Sequence, residues 1–367
     1  MSLFAPSACP RLVVKIGSAL LVDAAGGVRR AWLEGIAADI AARKRAGQQI
    51  AVVSSGAIAL GARRLGLPKG GRASLEDAQA AAAVGQIALS QVWAEVLAGE
   101  GITAAQILVT LDDLEDRRRY LNASATLERL LSLGVVPVLN ENDSVATAEI
   151  RFGDNDRLAA RVAQAAGAQG VVLLSDIDGL YDRNPALPGA IHIARVEKID
   201  AAIEGMADRG SASGMGSGGM VSKIAAARIA NAAGAHLAIA SGRVGHPLAA
   251  TARHTLFVAE KSAPARKAWL AGGLTARGII HVDAGAARAL VKGASLLAAG
   301  AMRIEGQFAR GDLLAIAGPD GVLARGLSEY DSDDALRLVG TRNAAHAAIL
   351  GYAPRAALVH RDHMALV

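Results

Sequence analysis

The sequence contains little cysteine and few aromatic residues. Cys9 is the only cysteine among 367 residues, so the chain cannot form an internal disulfide bond, and a reducing compartment fits this composition. Aromatic residues make up 3% of the chain, so the core must be built mainly from Ala, Leu, Val and Ile. The segment from Met1 to Pro10 lacks a basic stretch followed by an apolar run, and no uncharged apolar stretch is long enough to span a bilayer. We therefore expect a cytoplasmic protein with no membrane association.

Charge of either sign is also sparse. Charged residues make up 20% and hydrophobic residues 52% of the sequence, a balance typical of a folded globular protein. The formal net charge of +5 is mild for this length, so it suits small anionic substrates without requiring nucleic acid as a partner. A chain of this length can form two domains and a large core.

Short apolar segments alternate with segments of helical periodicity through the first two thirds of the chain. Continuous apolar strands separated by helices indicate a mostly parallel sheet that is covered by helices on both faces. We therefore predict an α/β fold in which helices sandwich such a sheet. The predicted strands are residues 12–16, 49–53, 107–109, 135–139 and 170–174.

The composition changes after about Ala259. Residues 261–277 contain Pro264, several basic residues and the pair Gly272-Gly273, a pattern typical of a linker. Beyond it, short strand-like segments are separated by Gly and Asp turns. This pattern predicts a small β-barrel-like domain over 278–367, following a larger domain over 1–260.

Two clusters of acid and amide side chains lie close together after the fourth predicted strand. Residues 140–143 read Asn-Glu-Asn-Asp, and residues 153–156 read Gly-Asp-Asn-Asp at the start of a predicted helix. In α/β folds, ligands bind at the carboxyl ends of strands and the amino ends of helices. Amide donors and carboxylate acceptors suit a small zwitterion. Turns and helix caps use the same residue types, so either cluster alone could be structural, whereas two adjacent clusters favour a binding site.

A glycine-rich segment, residues 214–223, opens a later predicted helix and ends in Lys223. Glycine N–H groups at a helix start, with a lysine one turn in, form a cradle for phosphate. A dinucleotide site would need a preceding strand and an acid about 20 residues further on. The preceding segment is predicted to be helical and residues 238–240 contain no acid, so we disfavour that site. A merely flexible loop remains the other alternative.

Lys15 lies at the end of the first predicted strand, within an apolar segment. A charge buried there requires an anionic partner. Other catalytic signatures are missing: no Gly-Lys pair supplies a P-loop lysine, and the histidines are scattered without a metalloprotease motif. The triplet at 360–362 matches the start of a kinase catalytic loop but has no downstream asparagine.

Together these motifs resemble the amino acid kinase family, with a PUA domain at the C-terminus. The lysines and the glycine loop are shared broadly across that family, whereas the two acid–amide clusters and the appended domain point to its glutamate-phosphorylating members. The departures are small, because Ser54 and Ser175 stand where threonine is common and keep its hydroxyl. The segments that carry the resemblance are residues 14–18, 54–58, 83–86, 140–143, 153–156, 175–181 and 216–223.

The resemblance implies ATP-dependent phosphorylation of the γ-carboxylate of L-glutamate to L-glutamyl 5-phosphate, the first step of proline biosynthesis. It implies that Lys15 and Lys223 are catalytic and that Asp156, also catalytic, orients them. It assigns glutamate binding to Ser55, Asn140, Asp143 and Asn155. It assigns ATP binding to Lys15, Ser175, Asp176, Ser217, Gly218, Gly219, Met220, Val221, Ser222 and Lys223. Mg²⁺ would arrive on the nucleotide, without a metal site of the protein's own.

The resemblance further implies a homo-oligomer, a tetramer by analogy, and feedback inhibition by proline. Rival hypotheses are another kinase of the same fold (acting on N-acetylglutamate, aspartate, carbamate or a nucleotide), an RNA-binding protein and a dinucleotide oxidoreductase. From Arg277 onward the chain has 10 Lys and Arg against 9 Asp and Glu. That balance is a poor electrostatic footprint for RNA, so we do not expect RNA as a partner.

Overall fold

The structure, a computed structural model, describes residues 2–23, 27–145, 155–210, 219–249, 253–259 and 276–367. The chain divides into two compact units, one formed by residues 1–115 and 123–261 and the other by residues 116–122 and 262–367. The predicted linker lies mostly outside the described residues, which resume at residue 276. The domain boundaries inferred from the sequence therefore stay a prediction.

The first unit is built on an eight-stranded sheet with the order β3-β4-β2-β1-β5-β9-β10-β8. Neighbouring strands from β3 to β9 run parallel, and β10 is antiparallel to β9. The mostly parallel sheet predicted from the apolar segments is thus confirmed. The strands of this unit are β1 Arg11–Ile16, β2 Gln49–Val53, β3 Ala104–Val109, β4 Val136–Glu141, β5 Gly170–Ser175, β6 Leu180–Tyr181, β7 His192–Ile193, β8 Arg195–Val196, β9 His236–Ser241 and β10 His254–Phe257.

Helices connect these strands, and their ends follow local sequence signals. Ser74 caps α4 because its hydroxyl accepts a hydrogen bond from the backbone N–H of Asp77 at 3.1 Å. The acidic residues in the first turn, Glu76 and Asp77, also favour a helix start there. The helices are α1 Ser18–Leu21, α2 Arg30–Arg45, α3 Ala57–Leu65, α4 Leu75–Gly99, α5 Leu111–Glu115, α6 Arg117–Ser132, α7 Asn155–Ala166, α8 Ala201–Gly210 and α9 Met220–Ala232.

Two glycines allow α3 and α4 to pack closely. A Cβ atom on Gly61 would lie 1.7 Å from the Ala81 carbonyl oxygen, and one on Gly85 would lie 1.8 Å from the Ala57 carbonyl oxygen. No side chain fits in either place, so glycine is required at both. Since α3 begins at Ala57, two residues after Ser55, this contact also positions the segment that contains Ser54 and Ser55.

By length and composition alone, α4 is the one helix in the described part of the chain that could cross a membrane. The core helix of a soluble domain passes the same test. Leu89 and Trp93 of α4 are buried in the hydrophobic core of the unit, so here α4 is a packed core helix.

Asn140 and Glu141 belong to a strand, whereas the sequence predicted that this strand ends at Leu139. The extension follows from pairing with β3, where Leu108 lies opposite Asn140 and Val109 lies opposite Glu141. The carboxyl ends of β1, β2, β4 and β5 lie at the same edge of the sheet. The strands that follow β1 in the chain are added on both of its sides, first β2 on one side and later β5 on the other. Open α/β sheets bind ligands at such a topological switch point.

The second unit contains a five-stranded sheet with the order β12-β11-β13-β14-β15. The pair β11–β13 is parallel and the other pairs are antiparallel. The small β-rich domain expected at the C-terminus is thus confirmed. Its elements are β11 Gly278–Val282, α10 Ala284–Val291, β12 Ala301–Glu305, β13 Leu313–Gly318, β14 Gly321–Leu327, α11 Ser332–Leu338, α12 Asn343–Leu350 and β15 Met364–Leu366.

Candidate active site

Three of the predicted residues form a buried charge cluster at the sheet edge. Lys15 Nζ lies 2.6 Å from one carboxylate oxygen of Asp156, and Lys223 Nζ lies 3.0 Å from the other. The three side chains come from β1, from the first turn of α7 and from the first turn of α9. Their side chains are 9%, 1% and 6% exposed, in that order. The anionic partner that a buried Lys15 requires is therefore Asp156.

The electrostatics of this cluster leave an excess of positive charge. Burial alone would raise the pKa of the Asp156 carboxyl, but the ammonium groups of Lys15 and Lys223 outweigh burial and hold that pKa below its usual value. The carboxylate is therefore ionised at neutral pH and faces two cations. A buried cluster with two positive charges and one negative charge attracts an anionic ligand.

The first turn of α9 continues the cationic surface. Gly219 is the N-cap of this helix, and Met220, Val221, Ser222 and Lys223 form its first turn. The Lys223 N–H donates to the Gly219 carbonyl oxygen at 3.3 Å. N–H groups that precede the first intrahelical bond, such as those of Met220 and Val221, can bind phosphate oxygens. Ser217 and Gly218, also predicted to bind ATP, lie outside the described residues.

Three of the four residues predicted to bind glutamate are joined by hydrogen bonds. Asn155 Nδ2 donates to Ser55 Oγ at 2.7 Å and to Asn140 Oδ1 at 3.3 Å. Asn140 Nδ2 in turn donates to Gln86 Oε1 at 2.8 Å. Because Asn155 precedes Asp156 at the start of α7, this amide chain adjoins the charge cluster.

The other end of the Asn155 amide accepts no hydrogen bond. Asn155 is 4% exposed, and its Oδ1 atom is buried without a hydrogen-bond partner in the described structure. A buried acceptor without a partner is costly, and native proteins keep few of them. A ligand that donates a hydrogen bond, such as an ammonium group, would satisfy this oxygen.

Asp143, the fourth predicted residue, lies in the turn after β4 and is 7% exposed. Burial raises the pKa of its carboxyl to about 6, and the positive charge of Arg72 opposes that rise. Its Oδ1 atom is buried without a hydrogen-bond partner in the part of the chain described. It lines a cleft of about 430 Å³ together with Gln86 and Glu141. A second cleft, of about 320 Å³, is lined by Ser54, Gln86 and Asn140 among others.

Ser175 and Asp176 lie at the end of β5, the strand next to β1. The Ser175 hydroxyl donates to Asp176 Oδ1 at 3.1 Å, with Ser175 buried and Asp176 exposed. Both residues are thus one strand away from Lys15, at the edge where the charge cluster lies.

Two further residues, to which no role was assigned from the sequence, contact this site in the structure. Trp93 Nε1 donates to the fully buried Ser54 Oγ at 2.9 Å, which holds the strand end before Ser55. Gln86 ends the amide chain and borders both clefts. Gln86 belongs to the motif at 83–86, whereas Trp93 lies outside it, and the contacts of both residues depend on the packing of α4. Among the described residues, no group of three His, Cys, Asp or Glu side chains could hold a metal ion.

The chain is similar to known proteins along its whole length. The model of the amino acid kinase family matches residues 10–241, and the model of the PUA domain matches residues 278–349. The chain is 78% identical to a glutamate 5-kinase from Sphingopyxis alaskensis, with 100% of both chains covered. It is 62% identical to a glutamate 5-kinase from Novosphingobium aromaticivorans, covering 98% of this chain and 97% of that one. The corresponding enzyme of Zymomonas mobilis is 61% identical over 100% of this chain and 94% of its own length.

Proposed function

This chain belongs to the amino acid kinase family, and we propose that it transfers the γ-phosphoryl group of ATP to the γ-carboxylate of L-glutamate. The products are L-glutamyl 5-phosphate and ADP, and the reaction is the first step of proline biosynthesis. The observation that carries the proposal is the buried Lys15–Asp156–Lys223 cluster with the open Asn155 acceptor beside it. The full-length similarity to glutamate 5-kinases supports the choice of substrate.

The cluster suits a reaction between two anions. A carboxylate is already a nucleophile at neutral pH, so no general base is needed. Catalysis then consists of aligning the carboxylate with the γ-phosphoryl group and stabilising the charge on the phosphoryl oxygens. Lys15 and Lys223 supply positive charge on the transferring group. Asp156 holds both ammonium groups in place before the reaction, so the electrostatic stabilisation is preorganised.

The amide chain and Asp143 suit the amino acid end of glutamate. The free Asn155 Oδ1 and the Asp143 carboxylate are acceptors for an α-ammonium group. Ser55 and Asn140 hold the Asn155 amide so that this oxygen remains available. An N-acetylated substrate lacks the ammonium charge, so this site favours free glutamate.

The nucleotide belongs at the first turn of α9 and at the end of β5. The helix N–H groups after Gly219 and the Lys223 ammonium would bind the phosphates, and Ser175 and Asp176 would contact ATP from the neighbouring strand. Mg²⁺ is commonly bound through substrate phosphates and water, so the nucleotide would carry it to the site.

Compartment, assembly, regulation and partners of the enzyme are part of the proposal. We infer a cytoplasmic homo-oligomer, a tetramer by resemblance, that is feedback-inhibited by proline and has neither RNA nor a membrane as a partner. The small net charge and the balanced charge of the C-terminal domain support the last point.

Trapping of the acyl phosphate tests the proposal. With MgATP and hydroxylamine, L-glutamate should yield γ-glutamyl hydroxamate together with stoichiometric ADP, whereas N-acetylglutamate and aspartate should react poorly. Reactions without ATP provide the control for direct hydroxamate formation. Robust turnover of N-acetylglutamate with none of glutamate would exclude the proposed substrate.

A further inference from the structure

Gln86 is a glutamine of α4 whose side chain reaches the proposed glutamate site. We propose that Gln86 is a positioning residue, which sets the orientation of the Asn140 amide and thereby keeps Asn155 Oδ1 available to the substrate ammonium. This inference rests on the proposed function and adds a specificity determinant to it.

The direction of the hydrogen bonds carries the inference. A side-chain amide has a donor end and an acceptor end, so fixing one end fixes the other. Gln86 Oε1 accepts from Asn140 Nδ2 at 2.8 Å, which leaves Asn140 Oδ1 to accept from Asn155 Nδ2 at 3.3 Å. Asn155 Nδ2 also donates to Ser55 Oγ at 2.7 Å and to the Ser54 carbonyl oxygen at 3.3 Å. The nitrogen of Asn155 is therefore engaged, and its oxygen is left for a ligand.

Without the Gln86 acceptor, this orientation depends only on the contacts of Asn155 Nδ2 with Ser55 Oγ and with the Ser54 carbonyl oxygen, which lies 3.3 Å away. The Asn140 amide could then turn by half a rotation and present Nδ2 to Asn155. Asn155 would respond by offering its oxygen to Asn140 and its N–H groups to the ligand. An ammonium group cannot accept a hydrogen bond, so binding of the substrate would weaken.

The packing of α4 fixes Gln86 relative to the same site. The neighbouring Gly85 is a point of close approach to α3, since a Cβ atom there would lie 1.8 Å from the Ala57 carbonyl oxygen. Ala57 follows the Ser54-Ser55-Gly56 turn, which also contains a partner of Asn155. The backbone that carries Gln86 and the turn that carries Ser55 are therefore held together as one rigid piece.

Substitution by methionine tests this role, because methionine has a similar shape and no strong acceptor. In Gln86→Met, the KM for glutamate should rise about ten-fold, the expected effect of losing one buried hydrogen bond. The KM for ATP should stay unchanged. Gln91→Met is the matched control, since Gln91 is an exposed glutamine of α4 that bonds to Glu95 at 3.0 Å. It should keep the wild-type KM for both substrates.

A double-mutant cycle with Asn140→Ala separates positioning from other roles. If Gln86 acts through Asn140, the double variant should have the same KM for glutamate as Asn140→Ala alone. Gln86→Glu keeps an acceptor at the same reach, so its KM should lie below that of Gln86→Met. If Gln86→Met fails to fold by its melting temperature, Gln86→Ala takes its place in the cycle.

Two outcomes would overturn the inference while glutamate remains the substrate of the wild type. One is a Gln86→Met enzyme with the same KM for glutamate as Gln91→Met. The other is an additive loss in the double variant, which would show that Gln86 acts independently of Asn140. A wild-type enzyme that does not phosphorylate glutamate would instead refute the proposed function.

Discussion

Each of the two units contains a buried carboxylate that faces several cations. In the first unit, Asp156 faces Lys15 and Lys223 at 2.6 and 3.0 Å. In the second unit, Glu329 lies 3.6 Å from Arg310, 3.6 Å from Arg355 and 3.3 Å from His363, measured between nitrogen and oxygen atoms. Burial opposes ionisation in both cases, yet the facing cations lower the pKa of both carboxyls.

The two clusters differ in whether their cations are placed to bind a ligand. Lys15 and Lys223 are compact ammonium charges at the carboxyl edge of a mostly parallel sheet, beside the Asn155 amide oxygen, which has no hydrogen-bond partner among the described residues. The cations around Glu329 are the broad guanidinium groups of Arg310 and Arg355, and the Arg355 side chain is 36% exposed. They lie in connecting segments outside the strands, so their ion pairs with Glu329 hold those segments in contact. A lowered pKa alone therefore does not mark a functional site, whereas its place in the fold and an unsatisfied neighbour do.

Removing one cation from each cluster should give the largest difference between the clusters, measured as kcat. Lys223→Ala should lower kcat by about 10²–10³-fold, by analogy with the loss of one preorganised oxyanion donor. Arg355→Ala removes a cation from the other cluster and should leave kcat near the wild-type value. Steady-state rates with both substrates saturating measure the difference. A near-normal kcat in Lys223→Ala would contradict the catalytic role of the first cluster.

Neutralising Glu329 should affect stability rather than catalysis. Glu329→Gln leaves cations without their counter-ion, so we expect the free energy of unfolding at pH 7 to fall by about 1–3 kcal/mol, less than for a fully buried pair. The pKa of Glu329 is lowered in the folded state, so its contribution is present above the unfolded pKa of about 4.3 and is lost as the pH falls through the folded value.

Urea unfolding at a series of pH values tests this expectation. The difference between the wild type and Glu329→Gln should shrink as the solution is acidified below the unfolded pKa. Asp320→Asn, which changes an exposed acid in the turn between β13 and β14, is the matched control and should unfold like the wild type. A constant difference at all pH values would mean that packing, and not the charge, is responsible.

Asp143 is a third buried acid, and Arg72 is the cation that acts to lower its pKa. Its pKa is raised to about 6, since burial outweighs the charge of Arg72. The carboxylate that would bind the ammonium group is ionised above that pH and protonated below it. The kcat/KM for glutamate should therefore fall as the pH decreases through about 6.

The variant Asp143→Asn should remove this pH dependence. Its KM for glutamate should rise about ten-fold, the size expected from losing one charge-assisted hydrogen bond to a non-reacting group of the substrate. Initial rates from pH 5 to pH 8, with glutamate varied at saturating ATP, provide the measurement. An unchanged pH profile in Asp143→Asn would show that another group titrates.

Local sequence patterns predicted much of this fold. The apolar strand segments, the helices between them and the change to short strands near the C-terminus all follow from periodicity and turn residues. The extension of β4 to Glu141 was not predicted, because Asn140 and Glu141 are poor strand formers that β3 holds in the ladder. Likewise, the grouping of residues 116–122 with the C-terminal unit has no local signal.

The need of Lys15 for an anionic partner follows from the sequence alone, because a buried lysine at the end of an apolar strand requires a counter-charge. The residue types of the two acid–amide clusters also identify them as ligand-binding candidates. In contrast, the folded structure was needed to identify Asp156 as the partner of Lys15 and to place Asn140 between Gln86 and Asn155. Those contacts depend on the strand order and on the close packing of α4 against α3. Hydrogen bonds between distant side chains are set by such packing, which the local pattern of residues does not specify.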